Sequence, residues 1–244
     1  MLIEICAYSV DDCLVAQRAG AGRIELCAGR AEGGITPSIG LIRQVRAAVL
    51  LPVYVMIRPR GGDFIYSESE LAVVEADIDA ARDAGADGVV LGALLPDGRI
   101  DADTTRRLVA RARPLAVTFH RAFDLTQNAH DALETLIELG IETVLTSGQQ
   151  AKAPDALPML AALATQAAGR IAIMAGSGVT EANVAILAQT GVSALHLSGS
   201  VSAQSAMQFR REGVPMASPA LSDYERTYSS EAAIRAVVVT VGAY

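Results

Sequence analysis

The sequence alternates eight times between a short apolar or alternating run and a longer capped, amphipathic segment, an order few folds accept. The short runs predict strands over residues 2–6, 22–27, 53–58, 87–92, 115–120, 142–146, 170–175 and 194–197. The segments between them carry helix signals. Ser9 precedes an acidic first turn, Asp11 and Asp12, and Gly20 ends the segment. Ser38 opens a second helix running to about Val49, and Ser67 with Glu70 has the spacing of a capping box. Further helices begin near Asp101 or Asp103, Asn128, Pro154 and Thr180, the last closed by Gly191. Residues 199–228 read as one long irregular segment, followed by a final helix from about Ser230.

Eight strand–helix units in 244 residues predict an α/β chain of the (β/α)8 TIM-barrel type, an eight-stranded parallel closed sheet. The competing open, doubly wound sheet carries a Gly-x-Gly-x-x-Gly turn after its first strand when it holds a dinucleotide, and that turn is missing. No nucleotide cofactor is therefore indicated. No Pro- or Ser-rich linker or composition shift divides the chain, so residues 1–244 are expected to form a single domain.

Charge narrows the partners. The net charge is −7 and no basic run is longer than Arg210-Arg211, so neither nucleic acid nor an anionic membrane finds an electrostatic footprint. Residues 182–209 are uncharged, but Asn183, Gln189, Gly191, His196 and the Ser198-Gly199-Ser200 turn break up any membrane span. Three irregularly spaced cysteines and no signal peptide point to a reducing cytosol and a cytoplasmic protein.

Barrel active sites lie at the C-terminal ends of the strands. Unusual residues gather there. Strands one and two carry matched pairs, Glu4 with Cys6 and Glu25 with Cys27. In a strand, residues two apart share a face, so each pair points opposite to its apolar neighbours, here Ile24 and Leu26. The later strand ends supply Arg58, His120 with Arg121, and His196. Glu4, Glu25 and His120 are acid–base candidates, and Arg58 and Arg121 can stabilise negative charge. The same carboxylates can instead belong to a structural network with Arg58 or Arg121. Cys13, in phase with Val10 and Leu14, reads as core, and His130 as a solvated first-turn residue. The turns Gly176-Ser177-Gly178 and Ser198-Gly199-Ser200 follow strands seven and eight, where barrels often bind anions through backbone amides.

These residues lie in longer stretches: Ile24-Glu-Leu-Cys-Ala-Gly, Glu32-Gly-Gly-Ile-Thr-Pro-Ser38 and Val55-Met-Ile-Arg-Pro-Arg-Gly-Gly-Asp-Phe-Ile-Tyr66. Phe119-His-Arg-Ala-Phe-Asp124, Thr146-Ser-Gly148, Met174-Ala-Gly-Ser-Gly178 and His196-Leu-Ser198 continue the series. With them the chain resembles the CutC family, the so-called copper homeostasis proteins. The resemblance implies a cytosolic barrel, commonly a homodimer, with a role in copper tolerance or trafficking. It also implies Cu(I) binding by two cysteines, at positions matching Cys6 and Cys27.

Two readings stand open on the residues. One is a Cu(I)-binding protein: Cu(I) prefers soft donors, and His120, His196 or Met56 can assist the two thiols. The other is an enzyme of isomerase, lyase or hydrolase type acting on a small anionic or phosphorylated substrate. In that reading Glu4, Glu25, Arg58, His120, Arg121 and His196 line the chemistry, and the glycine turns anchor the anion.

Overall fold

A computed structural model of the chain describes residues 1–211, 213–214, 216 and 222–242. Strands β1 (Leu2–Ala7), β2 (Arg23–Leu26), β3 (Val53–Met56) and β4 (Gly88–Leu91) pair in parallel with their neighbours. Strands β5 (Ala116–Phe119), β6 (Thr143–Thr146), β7 (Ala172–Gly176) and β8 (Ala194–Leu197) continue the order, and β8 closes onto β1. This is the expected eight-stranded TIM barrel.

Alternation within each strand separates two environments. Ile3, Ile5, Ile24, Leu26, Val53 and Val55 are buried in the apolar layer between strands and helices. That layer receives α1 (Val10–Ala19) through Cys13, Ala16 and Ala19, so Cys13 is core as expected. Each fully buried Ile or Leu of this kind contributes about 1.5–3 kcal/mol. The opposite parity, Glu4, Cys6, Arg23, Glu25, Tyr54 and Met56, faces the barrel axis. Barrel interiors are usually filled by branched apolar side chains. Here β1, β2 and β8 put ionisable groups there instead. Large interior side chains also need space: a Cβ on Gly88 of β4 would come within 2.6 Å of the Tyr54 ring.

The helix signals hold where a side chain caps a free amide. Ser9 accepts from Asp12 N, and Ser38 accepts from Leu41 N at the start of α2 (Ile39–Ala48). Ser67 and Glu70 form the reciprocal box at the start of α3 (Glu68–Asp83). Asp101 caps α4 (Ala102–Ala112) and Asn128 caps α5 (Ala129–Glu138). His130 is exposed. A short 3₁₀ turn over Ala153–Ala156 precedes α6 (Leu157–Ala167).

Two expectations are corrected. The helix after β7 does not begin at Thr180. Asn183 Oδ1 accepts from Thr180 N and its amide donates to Gly178 O, so the side chain holds a turn there and α7 spans only Val184–Ala188. Nor is 199–228 wholly irregular. Strands β9 (Ser200–Gln204) and β10 (Glu225–Ser229) form an antiparallel ribbon leading into α8 (Glu231–Gly242). Both strands are mostly exposed, so they lack the buried-face alternation that marks a strand in sequence. Residues 212, 215 and 217–221 of that stretch lie outside the described residues. Among the described residues no helix is long and apolar enough to cross a membrane.

Candidate functional site

The C-terminal mouth of the barrel opens into a cavity of about 830 Å³. Cys6, Glu25, Arg58, His120, Arg121 and His196 all line it, so six residues expected at strand ends meet at one place. Glu4 lies one layer below, fully buried.

Strand register builds a tier of ions beneath the floor. Glu4 sits opposite Arg23 on β2 and opposite His196 on β8. Arg23 Nε donates to Glu4 Oε2 at 2.5 Å, and His196 Nδ1 lies 2.8 Å from Glu4 Oε1. Arg23 also lies over the Tyr54 ring, 4.1 Å from its centroid. Burial opposes the charge on Glu4, but His196 and Arg23 outweigh it and hold the carboxyl below its usual range. Arg23 was not singled out from the sequence. Its signal was parity, since it shares the inward face of β2 with Glu25 and Cys27.

Above that tier, Cys6 is level with Glu25 in the register, not with Cys27. The sulfurs nevertheless lie 3.8 Å apart, because Cys27 leans back over β1 just past the end of β2. Cys27 Sγ lies 3.5 Å from Glu25 Oε2, and Cys6 Sγ lies 3.4 Å from the Tyr8 hydroxyl. His196 Nε2 lies 3.8 Å from Glu25 Oε2. Donor atoms of Cys6, Glu25 and His196 fall within 4.8 Å of one another. Met56 packs in the same small cluster as the two thiols.

These neighbours divide the protons. The hydrogen bond with Cys27, helped by His196, holds the Cys6 thiol well below its usual range. Burial opposes a charge on His196, but Glu25, Cys6 and Glu4 raise its pKa well above the usual value. Burial raises the Glu25 carboxyl, and its Oε1 has no partner among the described residues. The site thus favours a Cys6 thiolate beside a His196 imidazolium.

Arg58 and His120 stand apart from this cluster. Arg58 Nη1 donates to the carbonyls of Glu32 and Gly34, and Nη2 to that of Gly62, so the guanidinium ties the loops after β2 and β3 together. His120 Nδ1 accepts from Ala122 N, and burial followed by Arg58 lowers its pKa to about 3. His120 is therefore a neutral donor through Nε2. Its ring lies against Gly92, where a Cβ would sit 2.6 Å from Cε1. Arg121 is held by Asp124 at 2.8 Å and by the Ser147 hydroxyl at 2.9 Å.

The glycine turns form another part of the rim. Ser177, Gly178, Ser198, Gly199 and Ser200 line the cavity. Gly178 has φ +73° and Gly199 φ +53°, backbone conformations that favour glycine. Gly176, at the end of β7, serves packing: a Cβ there would approach Leu145 to 2.6 Å and the His196 Cβ to 3.2 Å. The Ser177 hydroxyl is used by Ala151 O, and Ser198 and Ser200 bond each other at 2.9 Å. Glu181 also lines this rim, so the turn does not present donors alone.

The family model for the CutC family matches residues 1–201. The chain belongs to the CutC family. It is 51% identical to the copper homeostasis protein cutC homolog of Mus musculus over 225 residues, covering 91% of this chain and 83% of that protein. The Homo sapiens homolog is 49% identical, covering 91% and 82% respectively. A crystal structure assigned as a copper homeostasis protein CutC from Streptococcus agalactiae superposes with a TM-score of 0.78 at 34% identity, covering 81% of this chain and 98% of that one. The match to the CutC model covers every strand of the barrel and hence every residue that forms the cavity floor.

Proposed function

We propose that this chain acts in copper homeostasis by holding Cu(I) between Cys6 and Cys27. The 3.8 Å separation of two buried sulfurs carries the reading. Thiolate–metal bonds in proteins run about 2.3 Å, so one ion can bridge sulfurs up to about 4.6 Å apart. Two thiols with a thioether, Met56, in the same cluster form a soft donor set that fits Cu(I). Cys6 is held toward its thiolate, while the hydrogen bond to Cys6 and burial push the Cys27 thiol up, so binding the metal releases the Cys27 proton. Relatives named for copper homeostasis support the role. Three free cysteines fit a reducing cytoplasm, and the reading includes one domain over 1–244 assembled as a homodimer. Anaerobic Cu(I) titration against a competing chelator tests it. Wild type and Cys13→Ser bind one ion per chain, and Cys6→Ser/Cys27→Ser binds none. Equal affinity in the double variant removes the reading.

A second reading is an enzyme of isomerase, lyase or hydrolase type. It is favoured by the His196 imidazolium seated between Glu4 and Glu25 under a cavity far larger than one ion needs. Here Cys6, Glu25 and His196 exchange protons with a small anionic substrate. The turns Gly176-Ser177-Gly178 and Ser198-Gly199-Ser200 anchor a phosphorylated end. Metabolite profiling of a deletion strain, run beside a copper-sensitivity assay, separates the two readings.

A further inference from the structure

Among the described residues Arg58 is a buried cation with no carboxylate partner. Its side chain is 6% exposed as a residue, three carbonyl oxygens take its terminal nitrogens, and Nε has no acceptor. Among the described residues no Asp or Glu oxygen comes within ion-pairing distance of it. A buried charge is costly unless it is paired, and carbonyl dipoles solvate a guanidinium without neutralising it. His120, 4% exposed, presents a second orphan from another strand end. Its Nδ1 already accepts from Ala122, so the neutral ring carries its proton on Nε2, and Nε2 also has no partner.

One side chain lies against both residues. The Phe64 ring lies 4.7 Å from the Arg58 guanidinium carbon and 4.8 Å from the His120 ring, between centroids. An aromatic face satisfies N–H donors only weakly. The Phe64 backbone is pinned, because Leu94 N donates to its carbonyl at 2.9 Å. The ring itself is only half-buried and borders the cavity. It packs in part against the apolar core, so uncovering the donors requires a turn about its side-chain bonds. A third cation faces the same space: Arg30 lies over the Tyr8 ring at 4.0 Å, and its Nη2 is unpartnered.

We propose that Arg58 Nε and His120 Nε2 form the carboxylate-binding subsite of a small organic acid, closed by the Phe64 ring until the ligand enters. Two N–H donors, one charged and one neutral, suit the two oxygens of a carboxylate. The cavity has the size of a small-molecule site. The carboxylate supplies the counter-charge that Arg58 lacks, and Phe64 turns away from the donors to admit it. The subsite requires neither copper nor turnover.

Calorimetry with acetate, pyruvate and succinate, and inorganic phosphate in parallel, tests the proposal on the full chain. At least one carboxylate binds saturably in the millimolar range. Phe64→Ala binds it more tightly, because the ring no longer competes. His120→Leu weakens it about tenfold or more, the value of a hydrogen bond to a charged group. Binding is the same with and without a Cu(I) chelator in the solution, so the result is independent of the copper reading. In unmodified protein the His120 Nε2–H resonance moves on addition of the acid, a readout that needs no variant to fold. An unmoved His120 signal overturns the subsite, as does weaker binding in Phe64→Ala. Binding lost in Gly178→Val but intact in His120→Leu also overturns it, by placing the anion at the turn after β7.

Discussion

His196 Nδ1 lies 2.8 Å from Glu4 Oε1, across a strand pair that joins the two ends of the barrel sequence. This contact fixes the ring so that Nε2 faces Glu25 and Cys6 at the cavity floor. Glu4 is also the buried counter-ion of Arg23. It therefore supports the site from beneath without bordering the cavity.

Glu4→Gln leaves the Arg23 charge without its carboxylate in a buried layer. Breaking a buried pair by removing one partner costs about 3–5 kcal/mol. Urea unfolding at neutral pH is expected to show a loss of that size with an unchanged slope. A loss under about 1 kcal/mol, as for an exposed pair, shows that the layer is hydrated.

The three cysteines are expected to differ in reactivity. Cys6 is held toward its thiolate by Cys27 and His196, whereas burial and Asp12 push the Cys13 thiol up to about 12. Brief iodoacetamide treatment of native protein at pH 7, read by mass spectrometry, labels Cys6 first. Cys13 reacts only after unfolding. Preferential labelling of Cys27 reverses the proton assignment at the floor.

His120 makes the protein acid-sensitive. Its folded pKa is lowered from 6.5 to about 3 by burial and then by Arg58, so in that window the unfolded chain binds the proton and the folded chain does not. Stability from this group is intact above pH 6.5 and is lost as pH falls toward 3. Relative to His120→Leu, wild type loses up to about 1.4 kcal/mol per pH unit across the window. Parallel stability curves for the two proteins between pH 4 and 6.5 contradict a buried neutral ring.

Gly92→Ala tests how closely the β4 end holds that ring. The new methyl would lie 2.6 Å from His120 Cε1 and 3.1 Å from Phe119 Cζ. Overpacking of this kind costs about 1–3 kcal/mol. A lowered melting temperature with a displaced His120 resonance is expected. An unchanged spectrum means the ring has room to spare.

What the sequence determined by itself rests on local period and local caps. The alternation of short runs and capped segments specified eight strand–helix units. The two-residue period placed Glu4, Cys6, Glu25 and Cys27 on the inward face, opposite Ile24 and Leu26. Ser9, Ser38, Ser67 and Asn128 marked helix starts because each caps an amide within three residues. The pairing inside the barrel was decided only by closure and stagger. Those put Cys6 level with Glu25, brought Arg23 and His196 to Glu4 from sequence separations of 19 and 192, and set Phe64 between Arg58 and His120. No local period records how far one strand slides past the next, and that offset decides which of several inward ionisable groups meet. The same reason hid the ribbon of β9 and β10, whose strands bury no continuous face and are specified by each other rather than by their own pattern.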